Sequence, residues 1–126
     1  MITVTKNFSF EACPPLPHYV GACHNLHGHS YKLSVTVGGN IIKDTNNPKC
    51  GMIIDFKDLK RIVKEVAVDK YDHCNLNDYF PNPTAENMVS VISSDIISRL
   101  PEGVHLVSVK LWETADSYAE YSILEP

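Results

Sequence analysis

Apolar residues change their spacing twice along this chain, and those changes fix the order of its secondary structure. Between Ile2 and Ala12 the residues Ile2, Val4, Phe8, Phe10 and Ala12 all occupy even positions, the period of two that marks a half-buried strand. Pro14, Pro15 and Pro17 then interrupt it, since proline cannot donate to a sheet ladder. A second alternating run carries Tyr31, Leu33, Val35 and Val37 on one face and Ser30, Lys32, Ser34 and Thr36 on the other, before the turn signal Gly38-Gly39-Asn40. From Asp55 to about Asp69 the period lengthens: Phe56, Leu59, Ile62, Val63 and Val66 recur at three and four, with Asp55 as N-cap. Thr84 caps a second helix in which Met88, Ile92, Ile96 and Leu100 recur every fourth residue, closed by Pro101 and Gly103. Strand periodicity then returns from Val104 to Glu113 and from Tyr118 to Leu124. The order β-β-α-α-β-β predicts an α+β fold with a mainly antiparallel sheet.

With 126 residues the chain can bury one core and is too short for two ordinary domains, so residues 1–126 read as a single domain. Its 44% hydrophobic and 21% charged residues place it among globular proteins. A net charge of -4, with the eleven Lys and Arg scattered, argues against nucleic acid as a partner. Met1 leads directly into the first alternating run, so neither a leader peptide nor a membrane anchor is expected, and the predicted location is cytoplasmic. Four cysteines without a CxxC pair do not read as a disulfide framework. One sheet face and the sheet edges still need cover in so small a domain, which predicts a homo-oligomer.

The chemistry-bearing residues cluster in short segments. In Cys23-His24-Asn25-Leu26-His27-Gly28-His29, His27 and His29 share odd parity with Tyr31 and Leu33. If the strand reaches that far, both imidazoles leave its apolar face, and two neutral imidazoles can begin a zinc centre. Hydrogen-bonding histidines near a strand end are the structural alternative. Cys23, four residues before His27, is either a small buried hydrophobe or a thiol activated by a nearby base. Asp72-His73 is a pair in which the carboxylate could fix the imidazole's tautomer, or else solvated loop. Glu113 shares parity with Val107, Val109 and Leu111, so its carboxylate should emerge on the apolar face, where a ligand's N–H groups could satisfy it, or else it sits on a frayed, solvent-exposed strand end. Thr84 and Glu86 suit the cap and first turn of a helix on structural grounds alone.

Taken in order, Phe8-Ser9-Phe10-Glu11-Ala12, Cys23 with His27-Gly28-His29-Ser30-Tyr31, and Gly51 to Phe56 resemble the first half of the 6-carboxy- and 6-pyruvoyl-tetrahydropterin synthases. Asp72-His73 with Asn75-Leu76-Asn77, then Pro83 to Asn87, then Trp112-Glu113-Thr114 resemble the second half, so the likeness spans nearly the whole chain. The resemblance implies a tunnelling fold: a four-stranded antiparallel sheet with two helices, whose sheets form a barrel in trimers and hexamers. It implies a zinc-dependent lyase acting on the pterin triphosphate 7,8-dihydroneopterin triphosphate. In that scheme Cys23 is the general base, Asp72 and His73 support it across a subunit interface, and Glu113 anchors the pterin ring. The region of Thr84 and Glu86 lines the pocket. Three residues separate Cys23 from His27, which resembles the carboxy branch, whose product is 6-carboxy-tetrahydropterin on the route to 7-deazaguanines such as queuosine. The alternatives are a 6-pyruvoyl-tetrahydropterin synthase and a non-catalytic pterin-binding or scaffolding homologue.

One position departs from the family pattern. The first zinc histidine of the family falls two residues beyond the Ala that matches Ala12, and this chain has Pro14 there. Cys13 should point away from the face carrying Ala12, and His24 lies on the turn. His18, which the proline-rich bend could redirect, is therefore the expected third ligand beside His27 and His29.

Overall fold

Four strands pair in chain order. The computed structural model describes residues 1–12 and 29–123. Strands β1 (Thr3–Ala12), β2 (His29–Gly39), β3 (Val104–Thr114) and β4 (Ser117–Ser122) form one sheet in the order β1-β2-β3-β4, every pair antiparallel. Between β2 and β3 come α1 (Phe56–Val63), a π-helical turn (Lys64–Val68) and α2 (Asp69–Tyr71), which together make one helical arm, and then α3 (Ala85–Ile97). The expected β-β-α-α-β-β order and the antiparallel sheet are therefore observed. Among the described residues, no helix is long and apolar enough to cross a membrane.

The core lies between the helices and one face of the sheet. Phe10 and Ala12 of β1, Tyr31, Leu33, Val35 and Val37 of β2, and Leu106, Val109 and Leu111 of β3 are buried there. They pack in one cluster with Leu59, Val63, Ala67 and Tyr71 from the helical arm and Met88, Ile92 and Ile96 from α3. Each such Leu, Ile or Met contributes about 1.5–3 kcal/mol relative to exposure. Asp55 caps α1 by accepting the Lys57 N–H at 2.9 Å. The π-helical turn has a sequence cause: Leu59, Val63, Ala67 and Tyr71 are spaced by four, and a regular α-helix would rotate the last of them off the buried face. Widening one turn keeps all four on the core.

Four expectations need correction. The first strand begins at Thr3, and Ile2 stays 58% exposed. Phe56 starts the apolar stripe of α1 in sequence but is 49% exposed, because it sits at the rim of an apolar hollow shared with Ile2, Val4 and Met52. Leu100 lies beyond the end of α3 and is only partly buried. Val107 does not share the core with Val109 and Leu111. A register shift in the β2–β3 ladder, where Thr36 faces Ser108 but Val37 faces Leu106, inserts one residue into β3. Such a bulge reverses the alternation below it, so Leu106 takes the buried place, at 3% exposure, and Val107 is only half-buried.

The other sheet face is polar, apart from Trp112 and Tyr118, whose rings lie 4.7 Å apart with Lys32 4.8 Å above Trp112. At the far end of β2 the backbone approaches the turn before β3 very closely: a Cβ on Gly39 would stand 2.4 Å from the carbonyl oxygen of Gly103. Gly39→Ala is thus expected to destabilise the fold by about 1–3 kcal/mol through overpacking. Urea denaturation would show a lower midpoint with an unchanged slope, and an unchanged midpoint would refute the steric reading.

Candidate active site

Of the residues singled out for chemistry, His29, Glu113, Asp72 and His73 lie toward the sheet end where β1 finishes and β2 begins. Phe10 pairs with Tyr31, Glu11 with Ser30 and Ala12 with His29. On the other side of β2, Lys32 pairs with Trp112, which sets Glu113 beside Tyr31. The β3–β4 ladder skips Glu113, since Trp112 faces Tyr118 and Thr114 faces Ser117. This second bulge leaves the half-buried Glu113 carboxylate at the strand end. His29 is half-buried, with its ring 6.3 Å from that of Tyr31, and Tyr31 stacks on Phe10 at 5.2 Å with the planes 9° apart. Burial, and secondarily the negative charge of Glu113, push the Tyr31 hydroxyl up to about 12.

Asp72 and His73 follow α2 and are clamped to the outer edge of β1. The Glu11 N–H donates to Asp72 Oδ1 at 2.9 Å, and the His73 N–H donates to the Glu11 carbonyl at 2.5 Å. Asp72 Oδ2 lies 3.0 Å from His73 Nδ1. The carboxylate therefore holds a backbone amide with one oxygen and orients an imidazole with the other. His73 adopts a left-handed backbone, φ 60°, uncommon for a residue with a side chain, and its ring is 79% exposed. The Glu11 N–H, and then His73, hold the Asp72 carboxyl below the usual carboxylate value of 3.8.

The sign of that shift gives a pH prediction. A depressed folded pKa means that the clamp is at full strength above 3.8 and is lost only as pH falls through the lower folded value. The Glu11 amide resonance is expected to hold its position down to about pH 4 and to move only below it. A Glu11 amide that titrates well above pH 4 would show that Asp72 does not hold it.

Thr84 serves as the N-cap of α3, its hydroxyl accepting the Asn87 N–H at 3.1 Å, and Glu86 is the acidic residue of the first turn. Helix architecture thus accounts for both, and their contribution to a pterin pocket stays an expectation. Cys23, His27 and His18 lie outside the described residues, as do Cys13, Pro14 and His24. Among the described residues no group of three or more His, Cys, Asp and Glu could hold a metal ion, and His29 alone of the three expected zinc ligands is among them. Its chemistry fits such a role: a half-buried imidazole on the same sheet face as Tyr31 is a nitrogen donor of the kind zinc takes.

The described groups do not all share one pocket within a single chain. From the 72–73 segment across β1 and β2 to Glu113 on β3 is three strand spacings, about 14 Å. Glu113 and Tyr31 are brought together; the Asp72–His73 pair stands at the opposite edge. Sequence reasoning treated Tyr31 as core only. Its odd parity with His29, at the start of β2, is the sign in the sequence that sets it on the same strand face.

Known proteins resemble the chain over nearly its whole length. The family model for 6-pyruvoyl tetrahydropterin synthase matches residues 3–123. The 6-carboxy-5,6,7,8-tetrahydropterin synthase of Haemophilus influenzae is 34% identical, over 96% of this chain and 99% of its own. The enzyme of the same name from Synechocystis is 37% identical, over 96% and 93%. Among solved structures, the 6-pyruvoyl tetrahydropterin synthase of Caenorhabditis elegans superimposes with a TM-score of 0.71 at 26% identity, covering 96% of this chain and 94% of that one. The sheet, the two helical segments and the sequence match agree throughout: the chain belongs to the 6-pyruvoyl tetrahydropterin synthase family and has its tunnelling fold.

Proposed function

We propose that this protein is a lyase of the carboxy branch, converting 7,8-dihydroneopterin triphosphate to 6-carboxy-5,6,7,8-tetrahydropterin with release of triphosphate and acetaldehyde. The observation that carries the reading is the near full-length likeness to two proteins named 6-carboxy-5,6,7,8-tetrahydropterin synthase. The short Cys23–His27 spacing supports the same branch, and the product would feed 7-deazaguanine synthesis.

In this reading Glu113 accepts hydrogen bonds from the N–H groups of the pterin ring, and a carboxylate that is half-buried makes such charge-assisted bonds strong. The Cys23 thiolate removes a carbon-bound proton of the side chain. Asp72 fixes the His73 ring, and His73 provides the base that keeps the thiol of a neighbouring chain deprotonated. The 14 Å gap between that pair and Glu113 supports an oligomer with active sites at subunit interfaces, a trimer or a hexamer. Zinc held by His27, His29 and His18 would supply Lewis acidity toward the hydroxyls of the substrate side chain.

Incubating the purified protein with 7,8-dihydroneopterin triphosphate tests the assignment. Formation of 6-carboxy-tetrahydropterin with equimolar acetaldehyde is expected, lost on chelation and restored by zinc. A 6-pyruvoyl product without acetaldehyde would move the protein to the other branch. Absence of any triphosphate release would leave a pterin-binding homologue instead of an enzyme.

A further inference from the structure

The buried face of the sheet contains a polar atom that packing does not explain. Tyr31 is 1% exposed, yet its hydroxyl has no hydrogen-bond partner among the described residues. Its ring has full apolar support: it stacks on Phe10, and Phe10 in turn contacts Tyr71 at 6.2 Å. A phenylalanine would keep that stack without burying an unpaired hydroxyl, whose desolvation is unfavourable. No hydrogen bond joins the hydroxyl to the carboxylate of Glu113 on the neighbouring strand. Strand pairing explains the geometry, because β2 and β3 set Tyr31 and Glu113 side by side and the bulge at Glu113 loosens the ladder there. A neutral donor and an anionic acceptor thus stand on neighbouring strands at this end of the sheet.

We propose that the Tyr31 hydroxyl is a ligand-orienting donor whose hydrogen bond goes to an acceptor atom of the ring held by Glu113. The inference rests on the pterin reading of Glu113 and adds a second polar anchor to it. Glu113 accepts from the ring's N–H groups, and Tyr31 donates to a carbonyl oxygen or an unprotonated ring nitrogen beside them. The pair would then read both hydrogen-bonding senses of the ring.

The test is Tyr31→Phe, with 7,8-dihydroneopterin as the probe in a fluorescence titration of the full-length protein and with KM and kcat measured on the triphosphate. Losing one hydrogen bond is expected to raise Kd and KM about 5- to 15-fold with kcat within twofold of wild type. The urea midpoint is expected to stay the same or rise, because an unpartnered hydroxyl has been removed. Unchanged Kd and KM in Tyr31→Phe, while Glu113→Ala weakens probe binding, would overturn the inference and leave the pterin reading standing. A lower midpoint with unchanged Kd would make Tyr31 a packing residue and also overturn it. Failure of the wild-type protein to bind the probe would remove both readings together.

Discussion

Cys23→Ala protein is expected to bind 7,8-dihydroneopterin with wild-type affinity while turnover falls by about 10²–10⁴-fold. That range is what a positioned base contributes when it transfers a proton in the rate-determining barrier. If the thiolate acts on the reacting carbon and not on the ring, as proposed, the loss should appear in kcat with KM nearly constant. A variant that keeps more than a tenth of wild-type kcat would exclude Cys23 as the base. The proposed sharing of the site between subunits gives a sharper test. The Asp72–His73 pair stands about three strand spacings from Glu113, so two inactive variants, Cys23→Ala and His73→Ala, should regain part of the wild-type rate when co-refolded into mixed oligomers. No recovery in verified mixed oligomers would mean that both residues act within one chain.

Glu113→Ala is the second large effect, expected to lower kcat/KM by about 10²–10³-fold. Two hydrogen bonds to a charged acceptor at about 1.5–3 kcal/mol each would be lost, and a net cost near 3–4 kcal/mol follows once water partly replaces them. Glu113→Gln retains one acceptor and should fall between. Folding stability should hardly change, because Glu113 occupies a bulge at a strand end and is only half-buried. Removing its charge also relieves the smaller of the two causes that push Tyr31 up to about 12. Phenolate absorbance should then show this tyrosine ionising at lower pH, though still above its ordinary value because burial remains. Unaltered kcat/KM in both variants would deny Glu113 any contact with the ring.

The alkaline behaviour of the fold follows from the same residues. Tyr31 and Tyr71 are both raised to about 12, each mainly by burial. A raised folded pKa stabilises below the unfolded value of 10 and is lost as pH climbs toward 12. Fold stability therefore declines across that window.

Much of this molecule is written in local spacing. Alternation in residues 30–37 made Tyr31, Leu33, Val35 and Val37 one buried face, and they are at most 1% exposed. The fourfold recurrence of Met88, Ile92 and Ile96 defined the buried stripe of α3, with Thr84 as its cap. The pattern succeeds there because a side chain's face depends only on its own backbone period. The same pattern grouped Val107 with Val109 and Leu111, and the structure separates it from them. The bulge that displaces Val107 depends on how β3 meets β2, and no residue of β3 alone encodes that register. The Asp72 clamp has the same origin: its partner, the Glu11 amide, is 61 residues away, and only the docking of the helical arm against β1 brings them together. What looked like a solvated Asp-His loop became an oriented pair. That the Tyr31 hydroxyl has no partner among the described residues could not be read either, because whether a buried group finds a partner depends on every neighbour the fold supplies. Sequence thus determined which residues lie inside and in what order the elements run. Tertiary structure decided which polar groups meet, because hydrogen bonds between distant segments are set by strand register and helix docking and leave no trace in the period of either segment.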